Sequence, residues 1–151
     1  MKKTETIQHE QRKLIDKLLN PIKTEFRLKD LIQIMVGASI LAIPVGFTEE
    51  TWNLGLTLPL TNIITLGGLS LLFISLFAYY TYYRKTGLKN NWNHFIKRVL
   101  STYFVSFIIV SILLGIIQKA PWTTDWMLAL KRATIVTFPS TMSAAVADTI
   151  K

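Results

Sequence analysis

The sequence predicts an all-α membrane protein with four transmembrane helices and with both termini in the cytoplasm. Half of its 151 residues are hydrophobic, and they gather in four long runs: Leu31–Phe47, Leu58–Tyr83, Val99–Ile117 and Trp126–Ala147. Each run is close to or longer than the roughly 20 residues that a helix needs to cross a hydrocarbon core. Lysine and arginine are abundant in alternate connections between the runs and almost absent from the others. These patterns give the fold class and the orientation.

The apolar runs define the expected membrane domain. We place the spans at about residues 31–48, 58–83, 97–117 and 126–148, within a transmembrane domain of residues 30–151. The segments Ser70–Ala78 and Phe104–Gly115 are apolar nearly all round, apart from single hydroxyls. A soluble helix of this length shows a polar face, whereas a helix that is apolar all round faces lipid or lies buried. The pattern therefore favours spans over a soluble helical bundle.

The positive charges set the orientation. Eight lysines and arginines precede Leu31, and none lies between Phe47 and Leu58. Five lie between the second and third spans, and the next connection carries only Lys119. Because basic residues are retained on the cytoplasmic side, we expect both termini and the second connection there, in a multi-pass protein of the inner (cytoplasmic) membrane. The five basic residues of that connection are Arg84, Lys85, Lys89, Lys97 and Arg98.

Residues 1–29 form a basic segment ahead of the first span. Its apolar residues recur at helical spacing with charged residues between them, which predicts an N-terminal amphipathic helix. Such a helix lies on anionic lipid headgroups, or else it is a docking arm for a membrane-protein partner. The apolar residues are Ile7, Leu14, Ile15, Leu18 and Ile22.

The first and fourth spans are similar when they are aligned 95 positions apart. Pro44 then falls on Pro139, and the surrounding stretches read ASILAIPV and ATIVTFPS. By the charge count these helices run in opposite directions, so the match predicts an inverted relation of the kind that many transporters contain. The alternative is a chance match, because apolar helices draw on a small set of residue types.

Both prolines lie inside a span and predict helix kinks. An interior proline leaves the carbonyl four residues earlier without its helical donor, which here means Ile40 and Ile135. Free carbonyl oxygens at membrane depth can bind a cation. Alternatively, neighbouring hydroxyls such as those of Ser39 and Thr134 satisfy the local backbone.

Two basic residues fall inside the fourth span. Lys131 and Arg132 lie past Trp126, roughly 8 to 9 Å below the outer interface at helical rise. Charges at this depth are costly and require a partner or a water-filled cavity. Glu49 and Glu50 end the first span on the same side. We therefore expect an ion pair between the first and fourth helices, which is either a structural clamp or a charged vestibule that selects ions.

Asp148 is the acidic residue at the other end of the fourth span, after a run of small residues. One interpretation is that it ends the helix close to water, where a carboxylate is mildly unfavourable because of the helix dipole. The other is that it binds a proton or a cation at the cytoplasmic mouth of a pathway.

Small residues recur about once per helical turn in three of the spans. Such stripes let helix backbones approach closely in lipid, within or between subunits. Four short helices leave little room for an enclosed pathway, so we expect a homo-oligomer, with a dimer favoured. The residues are Ala38, Ala42 and Gly46 in the first span, Ser111 and Gly115 in the third, and Thr141 and Ala145 in the fourth.

The residue types that common active sites need are missing or scattered. Cysteine is absent, and the two histidines, His9 and His94, are far apart in sequence, so we expect neither a metal site nor a cofactor. We find no nucleophile elbow, Ser-His-Asp set or phosphate-binding glycine loop, and we do not expect an enzyme. The net charge of +8 lies beside the apolar runs rather than among stacking aromatic residues, which argues against nucleic acid as a partner.

Two segments resemble a known family. They are GASILAIPVGFTEETWNLG (Gly37–Gly55) and TIVTFPSTMSAAVADTI (Thr134–Ile150). From about Leu31 onward the chain is similar to a prokaryotic family of putative integral membrane proteins, domain of unknown function 2391. The distinctive matches are Pro44, Glu49, Glu50, Trp52 and Gly55 in the first segment and Pro139, Ser140 and Ala144 in the second. The resemblance implies a membrane location and carries no catalytic role.

The favoured function is that of an oligomeric membrane protein that conducts or transports an ion or a small solute. Its pathway would be lined by the first and fourth helices, with the two glutamates, Lys131 and Arg132 at the outer mouth. The alternative is a non-transporting accessory or scaffold subunit, whose amphipathic arm and small-residue stripes bind a larger membrane complex.

Overall fold

The computed structural model describes residues 11, 28–84 and 92–150. The amphipathic helix expected over residues 1–29 lies almost entirely outside the described residues, as does much of the connection that carries Lys85 and Lys89. The described residues form five α-helices and no strand, which confirms the all-α prediction. The helices are α1 (Leu28–Gly46), α2 (Glu49–Thr57), α3 (Leu60–Ala78), α4 (Trp92–Ile116) and α5 (Trp126–Thr149), and a π-helical turn, Tyr79–Tyr83, continues α3.

Within the described ranges, three helices are long and apolar enough to cross a membrane: Leu28–Gly46, Leu60–Tyr82 and Trp92–Ile116. They correspond to the first three expected spans. On α4 the exposed side is a stripe that repeats every four residues, and its members are each between 42% and 76% exposed. A contiguous apolar surface of this kind is typical of contact with lipid or with another protein. The stripe consists of Leu100, Phe104, Ile108, Ile112 and Ile116.

The fourth expected span, α5, differs from the other three. Its 24 residues would extend about 36 Å at helical rise, but α5 is not among the helices that are apolar enough to count as candidate spans. The physical reason is its position, because α5 packs against α1, α2, α3 and α4. Five of its eleven buried residues are polar. Its side chains therefore contact other helices rather than lipid. Because polar residues are tolerated in such contacts, the mean hydropathy of α5 is low although the helix is enclosed by its neighbours.

The start of α4 differs from the expected boundary. The helix begins at Trp92 rather than near residue 97, so Lys97 and Arg98 belong to the helix and not to the preceding connection. Arg98 is buried, with only 1% of its surface exposed. Charge counting assigned it to a solvated loop, because a local count contains no information about an acidic partner elsewhere in the chain.

Small residues let α1 and α5 approach closely. A Cβ atom built on Gly37 would lie 2.5 Å from the Cβ of Ala147 and 2.9 Å from the Cα of Ala144. Of the small residues singled out from the sequence, Ala38, Ala42 and Gly46 are buried on α1, and Thr141 and Ala145 are buried on α5.

The small residues of α4 do not form a comparable contact. Ser111 and Gly115 are half-buried, and a Cβ added to Gly115 would meet no atom within 4 Å. The packing stripe on the third span is therefore not used for contacts within the described part of the chain, and its use between subunits stays a prediction. The α4 surface is lined instead by larger residues such as Val110 and Leu114, both fully buried.

Candidate functional site

Four helix ends meet at one end of the bundle and bring ionisable side chains together. Because α1, α3, α4 and α5 alternate in direction, the start of α1 and of α4 lies beside the end of α3 and of α5. This placement collects Asp30, Tyr82, Arg98 and Asp148, which we call the Arg98 cluster. The bundle end that contains it is the Arg98 end, and the opposite one is the Arg132 end.

The guanidinium of Arg98 holds two carboxylates. Its Nε donates to Oδ2 of Asp148 at 2.9 Å, and its Nη2 donates to Oδ1 of the same residue at 3.0 Å. The same Nη2 lies 3.2 Å from Oδ2 of Asp30. All three side chains are at most 8% exposed. A two-point contact between arginine and a carboxylate fixes both distance and orientation, so Arg98 ties α4 firmly to α5 and also to α1.

The ring of Tyr82 packs against the guanidinium of Arg98. The Arg98 Cζ lies 3.8 Å from the centre of the tyrosine ring, which is a close cation–π contact. The tyrosine hydroxyl donates to the backbone oxygen of Asp148 at 2.7 Å and lies 3.3 Å from its Oδ2. The π-helical turn positions this side chain, with Arg84 N donating to Tyr79 O at 3.0 Å. Turns of this type frequently occur at functional sites.

One nitrogen of Arg98 is left without a hydrogen bond. Nη1 is buried and has no partner among the described residues. Arg98 also lines a cavity of about 10 Å³, together with Tyr82, Thr102, Asp148 and apolar side chains of α3 and α5. A cavity of this volume has room for about one water molecule.

Buried hydroxyl groups occupy the core between α3, α4 and α5. Six of these seven donate to a backbone oxygen three or four residues earlier in their own helix. The seventh, Oγ of Ser106, has no partner among the described residues. Each hydroxyl keeps capacity to accept a further hydrogen bond. These core hydroxyls belong to Ser70, Thr102, Ser106, Thr134, Thr137, Ser140 and Thr141.

The expected ion pair at the Arg132 end is not present in the described part of the chain. Arg132 donates instead to Trp52 O at 3.2 Å and to Lys119 O at 2.7 Å, and Lys131 donates to Leu58 O at 2.8 Å. The oxygens of Leu58 and Lys119 lie just beyond the C-terminal ends of α2 and α4, where unpaired carbonyls and the helix dipole favour cations. The basic side chains are therefore satisfied by backbone.

Glu49 and Glu50 form no ion pair with Lys131 or Arg132 in the described part of the chain. Both are exposed and lie in the first turn of α2. An acidic residue is favourable there because the N-terminal end of a helix carries a partial positive charge. The sequence predicts a connection over residues 47–58, whereas the structure forms a short helix there.

Trp52 and Gly55 organise the contact between α2 and its neighbours. Trp52 Nε1 donates to Gly46 O at 2.8 Å, and Lys119 Nζ lies 3.8 Å from the centre of its ring. A Cβ on Gly55 would lie 2.5 Å from Cγ of Arg132, so a glycine lets the arginine stem pass. The Trp-x-x-Gly segment, Trp52 to Gly55, thus forms the surface against which the Arg132 side chain packs.

The aligned prolines lie in dissimilar surroundings. Pro44 is exposed on α1, whereas Pro139 is half-buried on α5. The neighbouring hydroxyls do not bond to the carbonyls that proline frees, because Ser39 donates to Met35 O and Thr134 donates to Leu130 O. The inverted relation of the two helices stays a prediction.

Sequence reasoning identified one member of the Arg98 cluster, Asp148, and missed the other three. The sequence nevertheless contains the information needed to place them together. When successive spans alternate in direction, the residues before the first and third spans lie at the same end of the bundle as those after the second and fourth. Asp30 precedes the first apolar run and Arg98 precedes the third, so both belong at the same level as Asp148. Among the described residues there is no group of three metal-binding side chains.

Comparisons with known proteins give one match. A family model described as "Putative integral membrane protein (DUF2391)" covers residues 1–150. We found no match to the chain among curated proteins or among solved structures. Together with the three apolar helices, the match confirms the resemblance seen in the sequence: this chain belongs to the DUF2391 family of integral membrane proteins.

Proposed function

We propose that the protein conducts or transports an ion or a small solute across the inner membrane as a homo-oligomer. The observation that carries the proposal is the polar character of α5, which is packed against every other helix of the described chain. Ionisable groups inside a membrane domain are costly and commonly mark the path of an ion or a substrate. In a helix that only filled the core, apolar residues would be sufficient.

Polar groups follow α5 from one end to the other. The Arg98 cluster lies at its C-terminal end, Lys131 and Arg132 lie near its N-terminal end, and the core hydroxyls lie between them. By the distribution of basic residues in the sequence, the Arg98 end faces the cytoplasm. The polar side chains of α5 therefore offer successive positions for a charged species between the two sides.

The oligomer is part of the proposal because α5 is tightly enclosed. The cavity beside Arg98 measures only about 10 Å³, so a wider aqueous route would have to form where two copies meet or after the helices move. Glu49 and Glu50 are exposed at the Arg132 end. There they can raise the local concentration of cations at the outer mouth through electrostatic attraction.

A flux assay tests this function. We would purify the protein, insert it into liposomes, and follow K⁺, Na⁺, Cl⁻ and proton flux against protein-free liposomes. We expect flux of at least one ion, and we expect Glu49→Gln and Glu50→Gln to reduce the flux of a cation. Asp125→Asn is the matched control, because Asp125 caps α5 at the same end and asparagine caps equally well. Absence of flux for every ion and for small neutral solutes would reject the proposal.

A second candidate function is that of an accessory subunit. It is favoured by an apolar recess of about 490 Å³ on the outside of α1 and α4, which Met35, Val36 and Ile109 help to line. A further recess of about 310 Å³ shares Ile43 with it and continues along the same two helices. A transmembrane helix of a partner would fit such a surface. Val36→Trp would fill the recess, and this function predicts loss of a partner recovered by gentle extraction with ion flux unchanged.

A further inference from the structure

The cavity at the Arg98 cluster narrows the choice of transported species. Its volume of about 10 Å³ matches one water molecule. Arg98 and Asp148 both line it, and Arg98 keeps one donor, Nη1, without a partner among the described residues. A water molecule in the cavity can accept a hydrogen bond from the guanidinium and donate one to the carboxylate.

Other small species fit the cavity poorly. A metal cation needs several oxygen ligands and would lie against the positive guanidinium of Arg98. An anion would be attracted by that guanidinium but repelled by the carboxylate of Asp148, which lines the same small space. A proton needs no volume of its own, since it moves along an existing hydrogen bond.

We propose that the transported ion is the proton, and that one water molecule in this cavity passes it to Asp148. The inference rests on the transport function proposed above and names its substrate. It also assigns a water-binding site to Arg98, Tyr82, Thr102 and Asp148, between the end of α3, the start of α4 and the end of α5.

The step is a simple proton transfer. A proton arriving from the Arg98 end adds to the cavity water, and the water gives a proton to the Asp148 carboxylate, which becomes a carboxylic acid. The water is regenerated, no electrons are transferred, and Arg98 keeps its charge throughout because guanidinium is not deprotonated in proteins. Release of the proton toward the core hydroxyls restores the carboxylate.

The groups around Asp148 can compensate for the loss of its negative charge when it takes up a proton. Among the described residues, the ionisable groups that face it are Arg98 on α4, Tyr82 on the π-helical turn and, across the shared guanidinium, Asp30 on α1. Nη2 of Arg98 already lies 3.0 Å from Asp148 Oδ1 and 3.2 Å from Asp30 Oδ2. When Asp148 takes up a proton, the guanidinium needs only a small shift to pair mainly with Asp30.

The first test compares ions in wild-type liposomes. Proton flux is followed with an enclosed pH-sensitive dye under a potassium diffusion potential set by valinomycin, and K⁺, Na⁺ and Cl⁻ fluxes are measured separately. Proton flux without the other three supports the inference. Flux of another ion without proton flux overturns the inference and leaves the proposed transport function intact. No flux of any kind rejects the proposed function itself.

Two variants with matched controls test the residues. Asp148→Asn should abolish proton flux, whereas Asp125→Asn, the same change at the other end of α5, should leave it at the wild-type level. Thr102→Val keeps the side-chain shape, removes a hydroxyl from the cavity wall, and should slow proton flux about tenfold. Thr65→Val is its control, because Thr65 is exposed on α3 and makes the same type of hydrogen bond, to Thr61 O. Wild-type proton flux in both Asp148→Asn and Thr102→Val overturns the inference.

A spectroscopic measurement covers the case in which Asp148→Asn does not fold. Infrared difference spectra of the wild-type protein, recorded in liposomes between neutral and acidic pH, should contain a carboxylic acid C=O band that Thr102→Val shifts and Thr65→Val does not. This band reports the hydrogen bonding of the protonated carboxyl group. A spectrum in which the two variants are identical to wild type counts against the water-mediated transfer.

Discussion

Replacing Arg98 by methionine should be the most destabilising single change in the described chain. Methionine keeps most of the apolar stem but removes the cation that pairs with Asp148 at 2.9 and 3.0 Å and with Asp30 at 3.2 Å. The side chains of these partners are only 4% and 8% exposed. Removing one partner of a buried ion pair leaves a charge without compensation and costs about 3–5 kcal/mol. The lost contact with the Tyr82 ring contributes up to about 2 kcal/mol to the same total.

The assay is unfolding in mild detergent micelles by a denaturant, followed by tryptophan fluorescence. Arg84→Met is the matched control, because Arg84 is exposed and changes at such surface positions are usually within about 0.5 kcal/mol of wild type. The double variant Arg98→Met with Asp148→Asn should recover about 1–3 kcal/mol relative to additive behaviour, because one of the stranded charges is then gone. An Arg98→Met protein within about 1 kcal/mol of wild type would refute the argument that the cluster is buried and paired.

Three further predictions concern packing, hydrogen bonding and orientation. Gly37→Ala should destabilise the protein by about 1–3 kcal/mol, because the new Cβ would press on the backbone of α5. In Gly68→Ala the new Cβ meets no atom within 4 Å, so this change should stabilise α3 by up to about 1 kcal/mol. Unfolding by denaturant compares the two variants. Tyr82→Phe should cost about 1 kcal/mol in the same assay, because the hydroxyl hydrogen bond to Asp148 O at 2.7 Å is lost. A cysteine at Leu54 should react with a membrane-impermeant reagent added to intact cells, and one at Leu88 should react only after lysis; the opposite result would overturn the orientation.

The fold class was predictable because it depends on local patterns. Long apolar runs and the spacing of basic residues are properties of contiguous sequence, and they correctly indicate an all-α membrane protein. Their limits show at the start of α4. Arg98 was placed in a connection because a window of sequence contains no trace of Asp148, which lies 50 positions away. Only the alternation of helix directions could have joined the two.

The charges at the Arg132 end illustrate a different limit. Opposite charges at similar depth suggest an ion pair, and the sequence offers Glu49 and Glu50 for Arg132. Backbone oxygens carry no formal charge, so a comparison of charged residues does not reveal them. Arg132 nevertheless donates its hydrogen bonds to the backbone oxygens of Trp52 and Lys119. The short helix α2 was also missed, because its nine residues are too few to make a periodic pattern stand out from the neighbouring apolar runs.

The enclosed position of α5 bears on how the chain enters the membrane during synthesis. Each of the three apolar helices can partition into lipid on its own, since hydrocarbon stabilises its surface. The last helix carries three ionisable side chains, Lys131, Arg132 and Asp148, and several hydroxyls on surfaces that lipid would not solvate. Insertion of this helix into the bilayer would require that the earlier helices are already there to pack against it. Biogenesis should thus be ordered, and ribosome-associated chains that end before Trp126 should already be anchored.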